Sequence, residues 1–320
     1  MTTRPGPVRT LLVMAGAAGL GAAAWRNLRF SREAEARNPP IGGFVEIGHG
    51  QRLHYVEQGE GPPVVLIHGA TTMLQDMTTS LMPVLARNHR VVAFDRPGHG
   101  WSTRRPYRAW DEAQARAIRE GIRRLGLEKP VLVGHSIGGG IVMSCGMAFP
   151  DEFTGIVFLS GLAFAEVPSG FLKFLGPATP LLGTALSHTI YPFLLPRMVG
   201  AMHRRNALPI EMLYRPEAIK MNAEDQISVV PSLVDVQFQY ASYPLPVVIM
   251  AGSEDKTTDP KKHAIPLSTR LPSAALHILP GLGHMIHHFA QGAIARAVED
   301  LFDGIPARPG TTSAGVIGRR

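Results

Sequence analysis

The chain has 320 residues, of which 45% are hydrophobic and 18% are charged, and it contains a single cysteine, Cys145. This composition excludes extended disorder over most of the chain, an internal disulfide framework and any multi-cysteine zinc or iron–sulfur site. The net charge of +7 suggests a nucleic-acid or membrane partner, but it divides into +4 in residues 1–37, +3 in residues 308–320 and zero in residues 38–307. We therefore expect no nucleic-acid binding by the body of the protein.

The N-terminal region, residues 1–43, contains an uncharged stretch over residues 10–25 with arginines on both sides. A transmembrane helix usually needs about 17–25 apolar residues, so this stretch is short for one. We expect an uncleaved anchor that makes the protein membrane-associated through this single segment. More arginines follow the stretch than precede it, which predicts that the body faces the cytoplasm. Two alternatives stay open: a signal peptide cleaved at Ala22-Ala23-Ala24, which would export the protein, and a soluble buried helix.

Residues 44–161 and 241–303 are predicted to form one body in which strands and helices alternate. Short apolar segments on both sides of Gly48-His49-Gly50 predict a hairpin. Six continuous apolar runs predict strands buried on both faces, at 64–67, 91–94, 131–133, 156–159, 247–250 and 275–278. Helical stretches are predicted at about 78–87, 110–125, 137–149, 260–270 and 289–302. We therefore predict an α/β fold with a mostly parallel β-sheet flanked by helices.

Residues 162–240 interrupt this alternation and are rich in Phe, Leu, Met and Pro. They predict a helical cap insertion over the carboxyl ends of the strands, where ligands bind in open α/β sheets. A membrane-surface element is the alternative. The arginine-rich run at residues 104–108 predicts a solvated loop, residues 38–43 a linker, and residues 304–320 a mobile tail.

The strongest chemical motif is Gly134-His135-Ser136-Ile137-Gly138, which stands between a predicted strand and a predicted helix. The pattern G-x-S-x-G in this context indicates a sharp turn that exposes a nucleophilic serine. Glycine at positions 134 and 138 lets the strand and the helix approach without a Cβ clash. Ser136 would then lie at a helix N-terminus, where the helix dipole favours developing negative charge.

With this motif and four others, residues 44–302 resemble the α/β-hydrolase fold family. The other motifs are His68-Gly69-Ala70, the loop Asp95-Arg96-Pro97-Gly98-His99-Gly100-Trp101-Ser102, Gly252-Ser253-Glu254-Asp255, and Gly281-Leu282-Gly283-His284. The resemblance implies a hydrolase of this fold, and it implies that the loop from Asp95 to Ser102 forms a wall beside the active site.

The resemblance also implies a catalytic triad in the family's chain order, with Ser136 as nucleophile, Asp255 as acid and His284 as base. Glu254 and Asp259 stay open as alternatives to Asp255. His287 and His288 follow the base, and we expect surface or supporting roles for them.

An oxyanion hole is implied at the backbone N–H groups of Ala70 and Ile137. The sequence continues with Thr71-Thr72 where the family commonly has H-G-x-P or H-G-G-G, so the path of this loop stays open. No cofactor and no metal is implied.

The predicted function is hydrolysis of small carboxylic esters with an apolar acyl or alcohol part, through an acyl-enzyme. A serine nucleophile argues against the family's epoxide hydrolases and haloalkane dehalogenases, which use Asp at this position. The alternatives within the fold are a C–C bond hydrolase, a cofactor-free perhydrolase, and the hydrolase-like protein linked to bacteriochlorophyll synthesis. Those from other classes are a non-catalytic member that binds a hydrophobic ligand, and a membrane-surface scaffold.

Overall fold

A computed structural model describes residues 7–104, 112–166, 172–179, 182–192, 194 and 208–304. The predicted tail from residue 305 onward lies outside the described residues, and so do residues 105–108 of the arginine-rich run.

One eight-stranded sheet forms the centre of the described chain. Its strands are β1 (Gly43–Gly48), β2 (Gln51–Gln58), β3 (Pro63–Ile67), β4 (Arg90–Phe94), β5 (Val131–His135), β6 (Gly155–Leu159), β7 (Val247–Gly252) and β8 (Ala274–Leu279). They lie side by side in the order β1-β2-β4-β3-β5-β6-β7-β8. The pairs β1–β2 and β2–β4 are antiparallel and the other five pairs are parallel. The predicted α/β fold with a mostly parallel sheet is therefore confirmed.

The continuous apolar runs of the central strands arise because helices cover both faces of the sheet. Successive residues of each strand alternate between two buried clusters, so that Val65 and Ile67 face one layer while Val64 and Leu66 face the other. The helices around the sheet are α2 (Gln75–Thr78), α3 (Met82–Leu85), α4 (Glu112–Arg124), α5 (Ile137–Ala148), α10 (Ala264–Arg270) and α11 (Gln291–Phe302). The first layer includes α4, α5 and α10, and the second includes α2, α3 and α11.

The single helix predicted at 78–87 is wrong, because the chain forms two short helices there. The Thr79 and Ser80 hydroxyls hydrogen-bond to the carbonyls of Gln75 and Asp76, at 2.7 and 2.5 Å. Pro83 lies in the first turn of α3. Hydroxyls that bond back to the preceding turn, followed by a proline that favours a helix start, divide the segment.

The insertion between β6 and β7 carries four described helices: α6 (Leu172–Ala178), α7 (Leu182–Thr189), α8 (Ile210–Leu213) and α9 (Pro216–Val236). We call this part of the chain the cap. The domain boundaries drawn from the sequence stay a prediction, whereas the helical character of the insertion is observed in the described residues.

The N-terminal stretch lies within helix α1 (Pro7–Arg37). Its C-terminal half docks on the cap: Asn27 Nδ2 donates to the His188 carbonyl at 2.5 Å, and Glu35 pairs with Arg215 at 2.6 Å. The predicted membrane-spanning helix is not found, because no helix among the described residues is both long and apolar enough to cross a membrane. The uncharged stretch alone is shorter than a usual span.

The close approach of β5 and α5 generates a stability prediction. A Cβ on Gly134 would lie 2.3 Å from the Gly138 carbonyl oxygen, so Gly134→Ala must push the strand and the helix apart. We expect it to lower the free energy of unfolding by roughly 3 kcal/mol, measured by urea denaturation. The matched control is Gly292→Ala in α11, where a Cβ meets nothing closer than Arg296 Nη1 at 3.8 Å. Equal unfolding midpoints for the two variants would contradict the prediction.

Candidate active site

The sequence-predicted site residues gather at one edge of the sheet. Ser136 follows β5, Asp255 follows β7 and His284 follows β8, while Ala70 lies in the loop after β3. Because these strands are parallel, their carboxyl ends meet at the same edge, which is where open α/β sheets bind their ligands.

Ser136 occupies a left-handed backbone conformation, with φ 56° and ψ −120°, directly before α5. Its N–H donates to the Leu159 carbonyl at 3.0 Å, which fastens the turn to β6. Gly138 makes the turn possible because a Cβ there would lie 2.4 Å from the Ile67 carbonyl oxygen. The result is a serine held at the N-terminus of α5, where the first amides have no acceptor within the helix. Ile137 provides one of these amides.

Asp255 and His284 form a direct pair. His284 Nδ1 lies 2.8 Å from Asp255 Oδ2, and Asp255 is buried. The other carboxylate oxygen accepts the backbone N–H groups of Thr257 and Thr258, at 2.8 and 3.0 Å. Burial alone would raise the pKa of Asp255, but the hydrogen bond and charge of His284 and the Thr258 bonds hold it below its ordinary value. A carboxylate that stays ionised here fixes the His284 proton on Nδ1 and leaves Nε2 free to act as a base.

Thr258 is a member of this site that the motifs did not reveal. Its hydroxyl lies 2.8 Å from Asp255 Oδ2, 2.8 Å from the Ser160 carbonyl and 3.2 Å from His284 Nδ1. It therefore links Asp255 to the end of β6, next to the strand that precedes Ser136.

The peptide between Gly69 and Ala70 is oriented by three donors on its carbonyl. His68 Nδ1, Thr72 Oγ1 and Arg96 Nη2 lie 2.8, 3.2 and 3.4 Å from the Gly69 oxygen. His68 Nε2 accepts the Arg96 N–H at 3.0 Å, so the ring carries its proton on Nδ1. Burial, with help from Arg96 and His99, lowers the pKa of His68 to about 3 and keeps it neutral. In a trans peptide the C=O and N–H groups point in opposite directions. The bonds to the Gly69 carbonyl therefore direct the Ala70 N–H away from His68, Thr72 and Arg96.

The sequence does not predict the path of the loop after Ala70, and in the structure a residue of the cap holds this loop. Thr71 has a positive φ of 53°, and its N–H donates to Asn222 Oδ1 on α9 at 3.0 Å. A Cβ on Gly69 would lie 3.2 Å from the Ser136 Cβ, so this loop packs against the nucleophile turn. A cap residue thus supports the loop that carries the predicted oxyanion-hole amide.

A buried cluster of charges joins the cap to the core around Asp225 of α9. Its carboxylate accepts Arg96 Nη1 at 2.6 Å, His99 Nε2 at 2.8 Å and Gln114 Nε2 at 3.2 Å, and it also pairs with Arg104. Burial alone would raise the pKa of Asp225, but Arg104, Arg96 and His99 hold it well below its ordinary value. The solvated loop predicted for residues 104–108 is wrong at Arg104, whose side chain is buried because Asp225 and Glu224 neutralise it. His99 belongs to this cluster.

A second buried cluster lies on the other side of the nucleophile turn. His287 and Asp76 are fully buried, and His287 Nε2 lies 3.2 Å from Asp76 Oδ2. The ring centroids of His287 and His135 lie 4.2 Å apart. His135 Nε2 lies 3.0 Å from the His284 carbonyl. A surface role for His287 is therefore wrong, and the supporting role is the one that the structure favours. Among the described residues, Asp76, His135 and His287 are the group that could hold a metal ion.

The comparisons with known proteins agree with this architecture. A family model described as alpha/beta hydrolase fold matches residues 62–291. The chain is 27% identical to a 2-hydroxy-6-oxo-6-phenylhexa-2,4-dienoate hydrolase of Burkholderia cepacia, over 73% of this chain and 85% of the relative. It is 26% identical to haloalkane dehalogenase 2 of Mycobacterium tuberculosis, over 78% of this chain and 91% of the relative.

A thermophilic esterase from Thermogutta terrifontis is similar in structure, with a TM-score of 0.68, 20% identity, and coverage of 82% of this chain and 99% of the esterase. At this identity the likeness shows the fold. The chain belongs to the alpha/beta hydrolase fold family.

Thr258 provides a test of the site geometry that needs no substrate. Thr258→Val keeps the shape but removes the hydroxyl bond to Asp255. A hydrogen bond to a charged group is worth about 1.5–3 kcal/mol, so we expect Ser136 to react roughly ten- to a hundredfold more slowly with a fluorophosphonate probe. The rate constant of labelling is measured by mass spectrometry. Thr154→Val, which removes an exposed hydroxyl bonded to the Lys129 carbonyl, is the control. Equal rates for both variants would show that Thr258 does not support the acid.

Proposed function

We propose that the protein is a serine hydrolase that cleaves carboxylic esters with an apolar acyl or alcohol part. One arrangement carries the proposal: a serine in a left-handed turn at a helix N-terminus, at the same sheet edge as a pair formed by the buried Asp255 and the partly exposed His284. Serine, and not aspartate, at this turn favours acyl transfer over the chemistry named for the dehalogenase relative.

In the proposed reaction Ser136 Oγ attacks the ester carbonyl carbon while His284 Nε2 takes the hydroxyl proton. The carbonyl oxygen becomes an oxyanion that accepts the amides of Ala70 and Ile137, where one donor is typically worth roughly 3–4 kcal/mol. The bond to the alcohol breaks, and His284 returns the proton to the leaving oxygen. A water molecule then attacks the acyl carbon while His284 takes its proton, the bond to Ser136 Oγ breaks, and His284 returns the proton to Ser136 Oγ as the carboxylic acid leaves.

The apolar substrate class is supported by the cap. Large apolar side chains of its described part are exposed, including Leu175, Leu182, Ile190, Leu194 and Phe238. Exposed apolar side chains on an element that is predicted to cover the strand ends suit contact with an apolar ligand.

Replacement of the nucleophile tests the proposal. We expect Ser136→Ala to reduce hydrolysis of p-nitrophenyl esters by a factor of about 10⁴ or more, because the covalent route is lost. The assay compares acyl chains of increasing length, so that one series reports activity and acyl preference. Ser268→Ala, at an exposed serine of α10, is the control and should retain full turnover. Unchanged turnover in Ser136→Ala would refute the assignment, and failure of Ser136 in the wild type to react with a fluorophosphonate would favour a non-catalytic binding protein.

Hydrolysis of a C–C bond is the second candidate, favoured by the Burkholderia cepacia relative and by a structurally similar meta-cleavage product hydrolase of Pseudomonas fluorescens (TM-score 0.62, 20% identity). The same serine, acid and base would serve it. Turnover of a vinylogous 1,5-diketone in preference to matched esters would select this candidate over the ester hydrolase.

We further propose that the protein associates with membranes through α1. This helix exposes Met14, Leu20 and Trp25 before its first contact with the cap at Asn27, and arginines lie beside them in the sequence, a combination that suits an anionic bilayer surface.

Vesicle sedimentation tests the membrane proposal. We expect the full chain to sediment with phosphatidylglycerol vesicles more than with phosphatidylcholine vesicles, and the double variant Leu20→Glu and Trp25→Glu to lose most of this binding, because it places charge on the apolar face. Phe238→Glu on the cap is the control. If that variant alone loses binding, the cap is the membrane-facing element, and if all variants bind equally α1 has no such role.

A further inference from the structure

The cluster behind the nucleophile turn contains the ligand types of a metal site. Asp76 lies on α2, His135 is the last residue of β5, and His287 follows the catalytic-base candidate by three positions. All three are buried, and one potential ligand atom of each lies within 4.8 Å of those of the other two. Three elements that are distant in sequence therefore converge on one point in the interior.

The cluster is not satisfied by the protein itself. Among the described residues, no hydrogen-bond partner is found for Asp76 Oδ2, His135 Nδ1 or either ring nitrogen of His287. His287 Nε2 lies 3.2 Å from Asp76 Oδ2, at the distance of an ion pair. Buried polar atoms are almost always paired, so several orphaned atoms in one place point to an occupant.

The surrounding hydrogen bonds prepare the cluster for a cation. His135 Nε2 lies 3.0 Å from the His284 carbonyl, an acceptor, so the proton of this ring is on Nε2 and Nδ1 presents a lone pair. His288 Nε2 lies 2.8 Å from Asp76 Oδ1, which leaves Oδ2 available. Metal-binding histidines and carboxylates are typically held in this way, with the second nitrogen or oxygen bonded to a neighbouring group.

We propose that Asp76, His135 and His287 bind a divalent transition-metal ion of the zinc type. Two imidazoles and one carboxylate are ligands that Zn²⁺ takes at about 2.0–2.2 Å, whereas Ca²⁺ and Mg²⁺ prefer oxygen ligands throughout. The ion would join α2, the residue before Ser136 and the turn after His284. It is a positioning site, since its ligands are neighbours of the reacting groups and not the groups themselves.

Metal analysis of the full-length protein tests the proposal independently of any hydrolase activity. The protein is stripped with dipicolinate, dialysed against Zn²⁺, and measured by plasma mass spectrometry and by isothermal titration. We expect one tight Zn²⁺ per chain, with affinity reduced at least about tenfold in His287→Gln and in Asp76→Asn. His277→Gln on β8 is the matched control, because it removes a partly buried histidine elsewhere in the fold, and it should bind as the wild type does.

A second measurement uses only the wild type, so it is valid even where a variant fails to fold. Co²⁺ replaces Zn²⁺ in such sites and gives intense visible ligand-field bands when it is four- or five-coordinate, whereas the free aqueous ion absorbs only weakly, so the wild type should gain intense bands that saturate at one equivalent. Absence of a tight equivalent in the wild type, or binding that His277→Gln weakens as much as His287→Gln, overturns the proposal. In that case the cluster holds water or nothing, and metal uptake comes from surface histidines.

Discussion

The left-handed backbone at Ser136 is the constraint on which the rest of the site depends. A non-glycine residue in such a conformation costs about 1–3 kcal/mol and persists only where its surroundings hold it. Here the surroundings are the Ser136 N–H bond to β6 and the absence of side chains at Gly134 and Gly138. The strained turn places the Ser136 hydroxyl at the N-terminus of α5 while the preceding strand β5 stays buried.

The groups around the turn are themselves held from two directions. On one side, the carbonyl of Gly69 and the N–H of Thr71 are fixed by bonds that reach Arg96 and Asn222, so the loop that bears Ala70 depends on the cap. On the other side, His135 bonds the His284 carbonyl and packs on His287. The loop that bears Ala70 and the turn that bears His284 are therefore both held by buried polar groups, which restrict their geometry.

The sequence predicted the parts of this structure that follow from local patterns. Strands buried on both faces appear in the sequence as continuous apolar runs, and the three residues of the predicted triad lie in short motifs that follow those strands. The parts that it missed depend on partners far apart in the chain. Arg104 is buried only because Asp225 meets it, and His287 is buried only because Asp76 and His135 meet it. A window of neighbouring residues contains none of these partners, so local patterns predict a solvated Arg104 and leave both a surface and a supporting role open for His287.

The zero net charge of residues 38–307 is explained in part by buried ion pairs such as those of Asp225 with Arg96 and Arg104. It does not describe a sparsely charged interior, since Arg96 and Asp225 are fully buried. Removing one member of a buried ion pair costs about 3–5 kcal/mol, because its partner is left uncompensated. Lifting the part of α9 that carries Asp225 would strand both Arg96 and Arg104. We therefore expect this part of the cap to stay on the core during turnover, so that a substrate reaches Ser136 from a direction that leaves the Asp225 cluster intact.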